Sequence, residues 1–372
     1  MAAQRYRRKV EAILASADIQ IEGNRPWDVH VINNEIYERV VAQGMLGVGE
    51  SYMDGWWECE QLDEMICKAF RANFQQQIRP LKQLVFTLDA HIRNLQRRAR
   101  AFEVGQKHYD LGFDLYRAML DQRMIYSCAY WKDAETLDQA QENKLDLIAR
   151  KLHLEPGMRV LDIGCGWGGA LHYYAEQYGI EGTGITISRD QYERASELCG
   201  DLPVEIRLQD YREIDGHYDR VYSIGMFEHV GYKNYRSYMK VVRRGLAPDG
   251  LFLLHTIGTR KSLTRTDPWL TRYIFPNGML PSAAQITRAA EGLHNLEDWH
   301  NFPQDYERTL MCWYDRFENK WDELRNNYDE RFFRMWRYYL LACAGGFRAG
   351  GNQLWQIVFS PNGVSGGYES VR

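Results

Sequence analysis

Two clusters of residues in this chain have the types and spacing to do chemistry. In SIGMFEHVG, Ser223 to Gly231, a carboxylate and an imidazole, Glu228 and His229, follow a short apolar run and sit among glycines. If Asp219 to Ile224 is a strand, both side chains lie just past its carboxyl end, where open α/β sheets bind their ligands. In VLDIGCGWGG, Val160 to Gly169, the glycines 164, 166 and 169 fit the spacing G-x-G-x-x-G. Such glycines admit positive φ and let a ligand approach the backbone, and a helix starting there offers unpaired N–H groups. The spacing alone admits a nicotinamide dinucleotide. A dehydrogenase is nevertheless disfavoured: the acidic ribose partner expected about 20 residues on is missing, since GTGITISRDQ places Thr186 and Ser188 there.

These residues need a sheet to hold them. From about residue 140 helices and strands alternate, which argues for a parallel sheet. The expected strands are Arg159 to Ile163, Gly182 to Ile187, Val204 to Leu208, Arg220 to Ile224 and Leu251 to Thr256. AQENKLDLIARKL reads as a helix, as do Gly168 to Gln177, Asp190 to Leu198 and Lys233 to Leu246. The first hundred residues lack this rhythm and look like a small helical bundle, with Leu62, Met65, Ile66 and Phe70, then Leu81, Leu84, Val85, Leu88, Ile92 and Leu95, at helical spacing. Before these two helices, LGVGESYMDGWWECE reads as a Gly-punctuated loop, with Trp56 and Trp57 as core anchors. The tail from Ser282 reads as helical and aromatic, and the last dozen residues as loose.

The 372 residues, 45% hydrophobic, suffice for a large domain and a smaller one. A formal charge of -4 gives no global reason to expect nucleic acid. One basic run stands out, Arg79, Lys82, Arg93, Arg97, Arg98, Arg100 and Lys107, either a solvated helix face or a patch for anionic headgroups. Seven scattered cysteines without C-x-x-C, and no leader-like segment, fit a reducing cytoplasmic setting without structural metal. No apolar run reaches the roughly 20 residues that span a bilayer, so any membrane contact is expected to be peripheral.

Asp162 inside the glycine motif makes VLDIGCGWGG resemble the cofactor loop of class I S-adenosylmethionine (SAM)-dependent methyltransferases. HYDLGFDLY (His108 to Tyr116), YSCAYW (Tyr126 to Trp131), GITISRDQ, LQDYRE (Leu208 to Glu213), GMFEHVG, LLHTIG (Leu253 to Gly258), IFPNGMLPS and ACAGGFRA together resemble cyclopropane-fatty-acyl-phospholipid synthases, in consistent order from Glu50 to Phe359. One departure is Phe113, where the family pattern suggests a polar residue such as Asn.

The resemblance implies an α/β fold: a Rossmann-like, doubly wound methyltransferase sheet over residues 96–372, with a small helical domain for lipid or membrane access over 1–95. It implies methyl transfer from SAM to the cis double bond of an unsaturated phospholipid chain. The resulting carbocation closes to a ring once a bound bicarbonate removes a proton. The implied bicarbonate cradle is Cys128 and Ile257 through backbone N–H groups, with Glu228, His255 and Tyr314. The implied cofactor residues are Tyr126, Ser127, Asp162, Gly164, Cys165, Gly166, Gly168, Thr186, Ile187, Ser188, Gln191, Gln209, Asp210 and Tyr211. Glu228 could instead merely order its turn, and His229 reads as packing beside it. Cys343 could be a nucleophile, although small neighbours suggest close helix packing. Phospholipid, peripheral association with the inner face of the membrane, a homodimer, no nucleic acid and no metal complete the expectation. An acyl methyltransferase leaving a methyl or methylene branch is the alternative.

Overall fold

The computed structural model describes residues 2–78 and 112–372, so the basic run, the expected helix around Leu81 to Leu95 and His108 to Leu111 lie outside the described residues. The described chain divides into two compact units. One contains 112–264, Asn277–Asp305 and Gln353–Arg372; the other contains 2–78, Arg265–Pro276 and Tyr306–Asn352. No helix among the described residues is long and apolar enough to cross a membrane.

The first of these units is built on seven strands: β1 Arg159–Ile163, β2 Glu181–Thr186, β3 Val204–Leu208, β4 Tyr218–Ile224, β5 Leu246–Thr259, β6 Asn295–Asn301 and β7 Asn352–Ser360. Their spatial order is 3-2-1-4-5-7-6. Pairs 1-2, 2-3, 1-4 and 4-5 are parallel, and 6-7 is antiparallel. The period of two along each strand sorts side chains to two faces. Leu161, Ile163, Val221, Phe252, Leu254 and Ile357 pack with Tyr238, Met239 and Val242 of the helix Tyr235–Gly245 and with Ile286 and Ala289 of Ala283–Ala290. Their neighbours Val160, Tyr222, Leu251, Leu253 and Val358 pack with Leu145 and Ile148 of Leu137–Leu152 and with Leu171 and Tyr174 of Gly169–Tyr178. Helices therefore cover both faces, and the order reverses between β1 and β4, the switch point where such sheets bind ligands.

The tail is not wholly helical. Asn295–Asn301 and Asn352–Ser360 are strands. The first is polar and short and gave little strand signal, although it pairs along its length with the apolar second. The last dozen residues are also tied down: the Tyr368 hydroxyl donates to Lys151 O, and Ser370 and Arg372 bind Asp298.

In the other unit the helices include Ala2–Ala15, Ile36–Gln43, Met45–Met53, Leu62–Arg71 and Glu330–Arg348, with a two-stranded ribbon His30–Val31/Trp57–Glu58. The Gly-punctuated loop expected from Leu46 is, up to Met53, a helix. Its glycines serve packing: a Cβ on Gly49 would lie 2.4 Å from the Trp269 ring and one on Gly47 2.6 Å from Arg39 O. The turn itself is confined to Asp54 to Trp56, and Trp57 is buried with its indole N–H on Val48 O and Ser51 Oγ.

Candidate active site

The glycine turn follows β1 without a break. Gly164, Gly166 and Gly168 all have positive φ, at 97°, 56° and 87°, which ordinary side chains resist. The N–H groups of Gly164 and Cys165 both reach Ile185 O on β2 at 3.0 Å, pinning the turn to the neighbouring strand. A Cβ on Gly164 would strike Met226 at 2.8 Å, so the β1 and β4 turns lie against each other, whereas a Cβ on Gly166 would meet nothing within 4 Å. Gly166 thus faces open space, as a backbone that admits a ligand must. Behind it, burial pushes the Asp162 carboxyl up to about 7, with Tyr222 and Lys144 pulling the other way.

The other expected cofactor residues line the neighbouring strand ends. Thr186 at the end of β2 donates to Gln191 Oε1 at 2.8 Å, and Ser188 caps the next helix by accepting from Gln191 N, with Ile187 between them half-buried. After β3, Gln209 N reaches Thr186 O at 2.9 Å, and Asp210 accepts from both Arg212 N and its guanidinium. The adjacent Tyr211 ring is buried under Arg212, with a hydroxyl that finds no partner. Beside the glycine turn, Phe113, Tyr116, Tyr126 and Trp167 form an aromatic wall with centroids 5.0 to 6.1 Å apart. Phe113 lies under the Arg194 guanidinium at 3.8 Å.

Glu228, His255 and Ile257 come together where β4 and β5 run side by side. Ile224 is in register with His255, and Gly225 N donates to His255 O at 3.0 Å. Past this turn Glu228 is buried, and its Oε1 accepts the Ile257 N–H at 2.7 Å while Oε2 has no partner. Desolvation raises this carboxyl to about 7, the Ile257 N–H opposing. His255 is buried too, held neutral well below its ordinary range by desolvation and by the nearby lysines, and its Nε2 has no partner. Unpartnered buried polar atoms are costly, so two at adjoining strand ends point to a ligand. The segment carrying Tyr126, Ser127 and Cys128 belongs here, since a Cβ on Gly225 would be 3.8 Å from the Ser127 Cβ. The Cys128 thiol donates to Ala129 O. Desolvation pushes His229 down to about 4, which leaves it neutral.

Three polar residues of this site escape motif reading. Lys144 and Lys151 lie seven apart on one face of Leu137–Leu152, both fully buried. Lys144 donates to Ser127 Oγ at 2.9 Å and Lys151 to Gln356 Oε1 at 2.9 Å, and Gln356 Nε2 lies 3.3 Å from His255 Nδ1. Two lysines at apolar-face positions of an amphipathic helix were the available signal.

Tyr314 and Cys343 belong to the other unit. The Tyr314 hydroxyl bonds Glu318 Oε1 and accepts from Arg337 Nε at 3.2 Å. Burial pushes the Cys343 thiol up to about 12, far from a ready nucleophile. Near it, a Cβ on Gly345 would lie 2.3 Å from Asp63 O, so the helices Glu330–Arg348 and Leu62–Arg71 meet closely.

Residues 96–357 match the family model described as mycolic acid cyclopropane synthetase. Over 361 residues the chain is 53% identical to cyclopropane-fatty-acyl-phospholipid synthase of Escherichia coli (strain K12), covering 97% of this chain and 94% of the relative. It is 36% identical to a probable fatty acid methyltransferase of Pseudomonas putida over 68% of this chain and 67% of that protein. Among solved structures, mycolic acid cyclopropane synthase CmaA1 complexed with SAH and CTAB superposes with a TM-score of 0.65 at 32% identity, over 69% of this chain and 97% of that one. With the family model matched from before β1 into β7, the chain belongs to the mycolic acid cyclopropane synthetase family.

Proposed function

We propose that the protein transfers the methyl carbon of SAM to the cis double bond of an unsaturated phospholipid acyl chain and closes the product to a cyclopropane ring. The observation that carries this reading is the pair of buried, unpartnered atoms, Glu228 Oε2 and His255 Nε2, at adjoining strand ends beside the glycine turn. An E. coli relative named for this activity supports it.

The chain's residues divide the work. The turn from Gly164 to Gly168, with Ser127, Thr186 to Gln191 and Gln209 to Tyr211, holds SAM, which supplies an electrophilic methyl as its sulfonium. An alkene is a weak nucleophile, so the protein's task is to align it and exclude water. The faces of Tyr116, Tyr126 and Trp167 tolerate the positive charge that develops. When bound, bicarbonate supplies the base for the last proton. The residues fit this small anion: a carboxyl near neutrality at Glu228 can share a proton with it, and a neutral His255 offers one ring nitrogen. Cys128 gives a backbone N–H, and Ile257 shares its own between Glu228 and the anion. The resemblance adds Tyr314 to the expected set, and Tyr314→Phe tests its part.

Mass spectrometry of lipids from expressing cells should show a gain of CH2 in chains that ozone no longer cleaves, which marks loss of the double bond. A gain with unsaturation retained would favour branching, the reading to which the Pseudomonas relative's name lends weight. Carbonate-free buffer should slow the purified enzyme reversibly, and full activity there would remove the anion from the scheme. Membrane association at the surface and a homodimer are further proposals, checked by vesicle flotation and sedimentation velocity.

A further inference from the structure

The hydrogen bonds behind His255 fix more than its place. Lys151, in the helix Leu137–Leu152, and Gln356, on β7, are both fully buried, and Lys151 Nζ stands 2.9 Å from Gln356 Oε1, 3.1 Å from His300 Nδ1 and 3.8 Å from Asp298 Oδ2. Asp298 is in turn held by Arg372 at 2.6 Å and Ser370 at 2.8 Å. Burial pushes the Lys151 ammonium down to about 7 while Asp298 opposes, and in this charged form the side chain has three donors and no acceptor. The amide of Gln356 must therefore turn its oxygen to Lys151, which leaves its NH2 facing His255 Nδ1 at 3.3 Å. A donor facing Nδ1 requires a bare lone pair there, and a neutral imidazole then carries its proton on Nε2. Nε2 is the ring atom without a partner.

We infer that Lys151 and Gln356 are positioning residues that lock His255 into the Nε2–H tautomer, so that the site presents an N–H donor, and not a lone pair, to its ligand. This deepens the reading of His255 as one wall of an anion cradle and rests on that reading for its effect on turnover. The pattern is a relay of orientation without proton movement: an ammonium fixes an amide, the amide fixes a ring, and the ring points a donor outward. No sequence motif contains it, because its members come from residues 151, 255 and 356.

Gln356→Glu is the sharp test. A carboxylate of the same shape accepts from Lys151 and demands a donor from His255, which reverses the tautomer and turns a lone pair toward the site. Long-range 1H–15N spectra of 15N-histidine-labelled protein, with His255 assigned through His255→Asn, read the tautomer directly. The wild type should show a bare Nδ1 and a protonated Nε2, and Gln356→Glu the reverse. Turnover should fall about 10- to 100-fold, as when a group orienting an active-site histidine is lost, with SAM affinity unchanged. Should Gln356→Glu not fold, Lys151→Met serves: the amide loses the partner that orients it, and the His255 signals should move to the average of two tautomers. A protonated Nδ1 in the wild type, or a tautomer that neither variant alters, overturns the inference. If the tautomer reverses and turnover holds, the orienting relay stands and the cradle reading falls.

Discussion

Glu228 makes the largest claims of any single residue, and its burial gives a test that needs no substrate. Its carboxyl ionises near the usual 4.5 when unfolded and is raised to about 7 by desolvation when folded. Between those values the native state holds a proton that the unfolded state has lost, so stability falls as pH rises and levels off above 7. The difference amounts to on the order of 3 kcal/mol. Calorimetric unfolding at pH 5, 6, 7 and 8 should therefore show wild type losing ground against Glu228→Gln by that order. Parallel curves would mean that the carboxyl is not desolvated. The same variant should retain SAM binding while kcat drops about 10²- to 10³-fold. Gly166→Val makes the complementary case. With φ at 56° and open space beyond its Cα, a branched residue is both strained and placed where the cofactor must lie. Calorimetric titration should find SAM binding severely weakened, and unchanged affinity in a folded variant would move the cofactor elsewhere.

At the scale of elements, strands with strong apolar runs were legible. Arg159–Ile163 and Val204–Leu208 stand as expected, and Arg220 to Ile224 extends by two residues at its start. The glycine turn was legible because its chemistry lies in consecutive residues. The strand Asn295–Asn301 was not: its polar sequence becomes a strand only by pairing with β7, a tertiary cause with no local trace. The same limit hid Gln356, an amide in an apolar strand whose purpose exists only beside His255 and Lys151. Glycines misled in another way, since a gap for a neighbour and a turn look alike in sequence. Two adjacent ones now separate the cases. In the helix Glu330–Arg348 a Cβ at Gly345 would be 2.3 Å from Asp63 O, while one at Gly346 would touch Phe70 at an ordinary 3.6 Å. Gly345→Ala should cost about 1–3 kcal/mol through overpacking, and Gly346→Ala should be neutral or gain up to about 1 kcal/mol from helix propensity. Equal effects in chemical denaturation would contradict the close helix contact.

At the scale of the molecule, a lipid substrate raises the question of how the enzyme meets a bilayer. The basic run Arg93 to Lys107 would supply about 1 kcal/mol per residue near an anionic surface, screened by salt. Binding to vesicles containing anionic lipid should weaken as salt rises, and Arg97→Glu with Arg98→Glu and Arg100→Glu should abolish most of it. Equal sedimentation of that triple variant with vesicles would make the run a solvated face. The contact between Leu62–Arg71 and Glu330–Arg348 has a bearing on how the chain is made. Those helices are joined by Arg348, which binds Asp63, Glu64 and Glu307, and by Gly345 against Asp63 O. An emerging nascent chain can form its early helices but cannot cover the side of Leu62–Arg71 that meets Glu330–Arg348 until the segment around residue 345 has left the ribosome. While the intervening residues are being made, that side therefore remains exposed to chaperones and proteases.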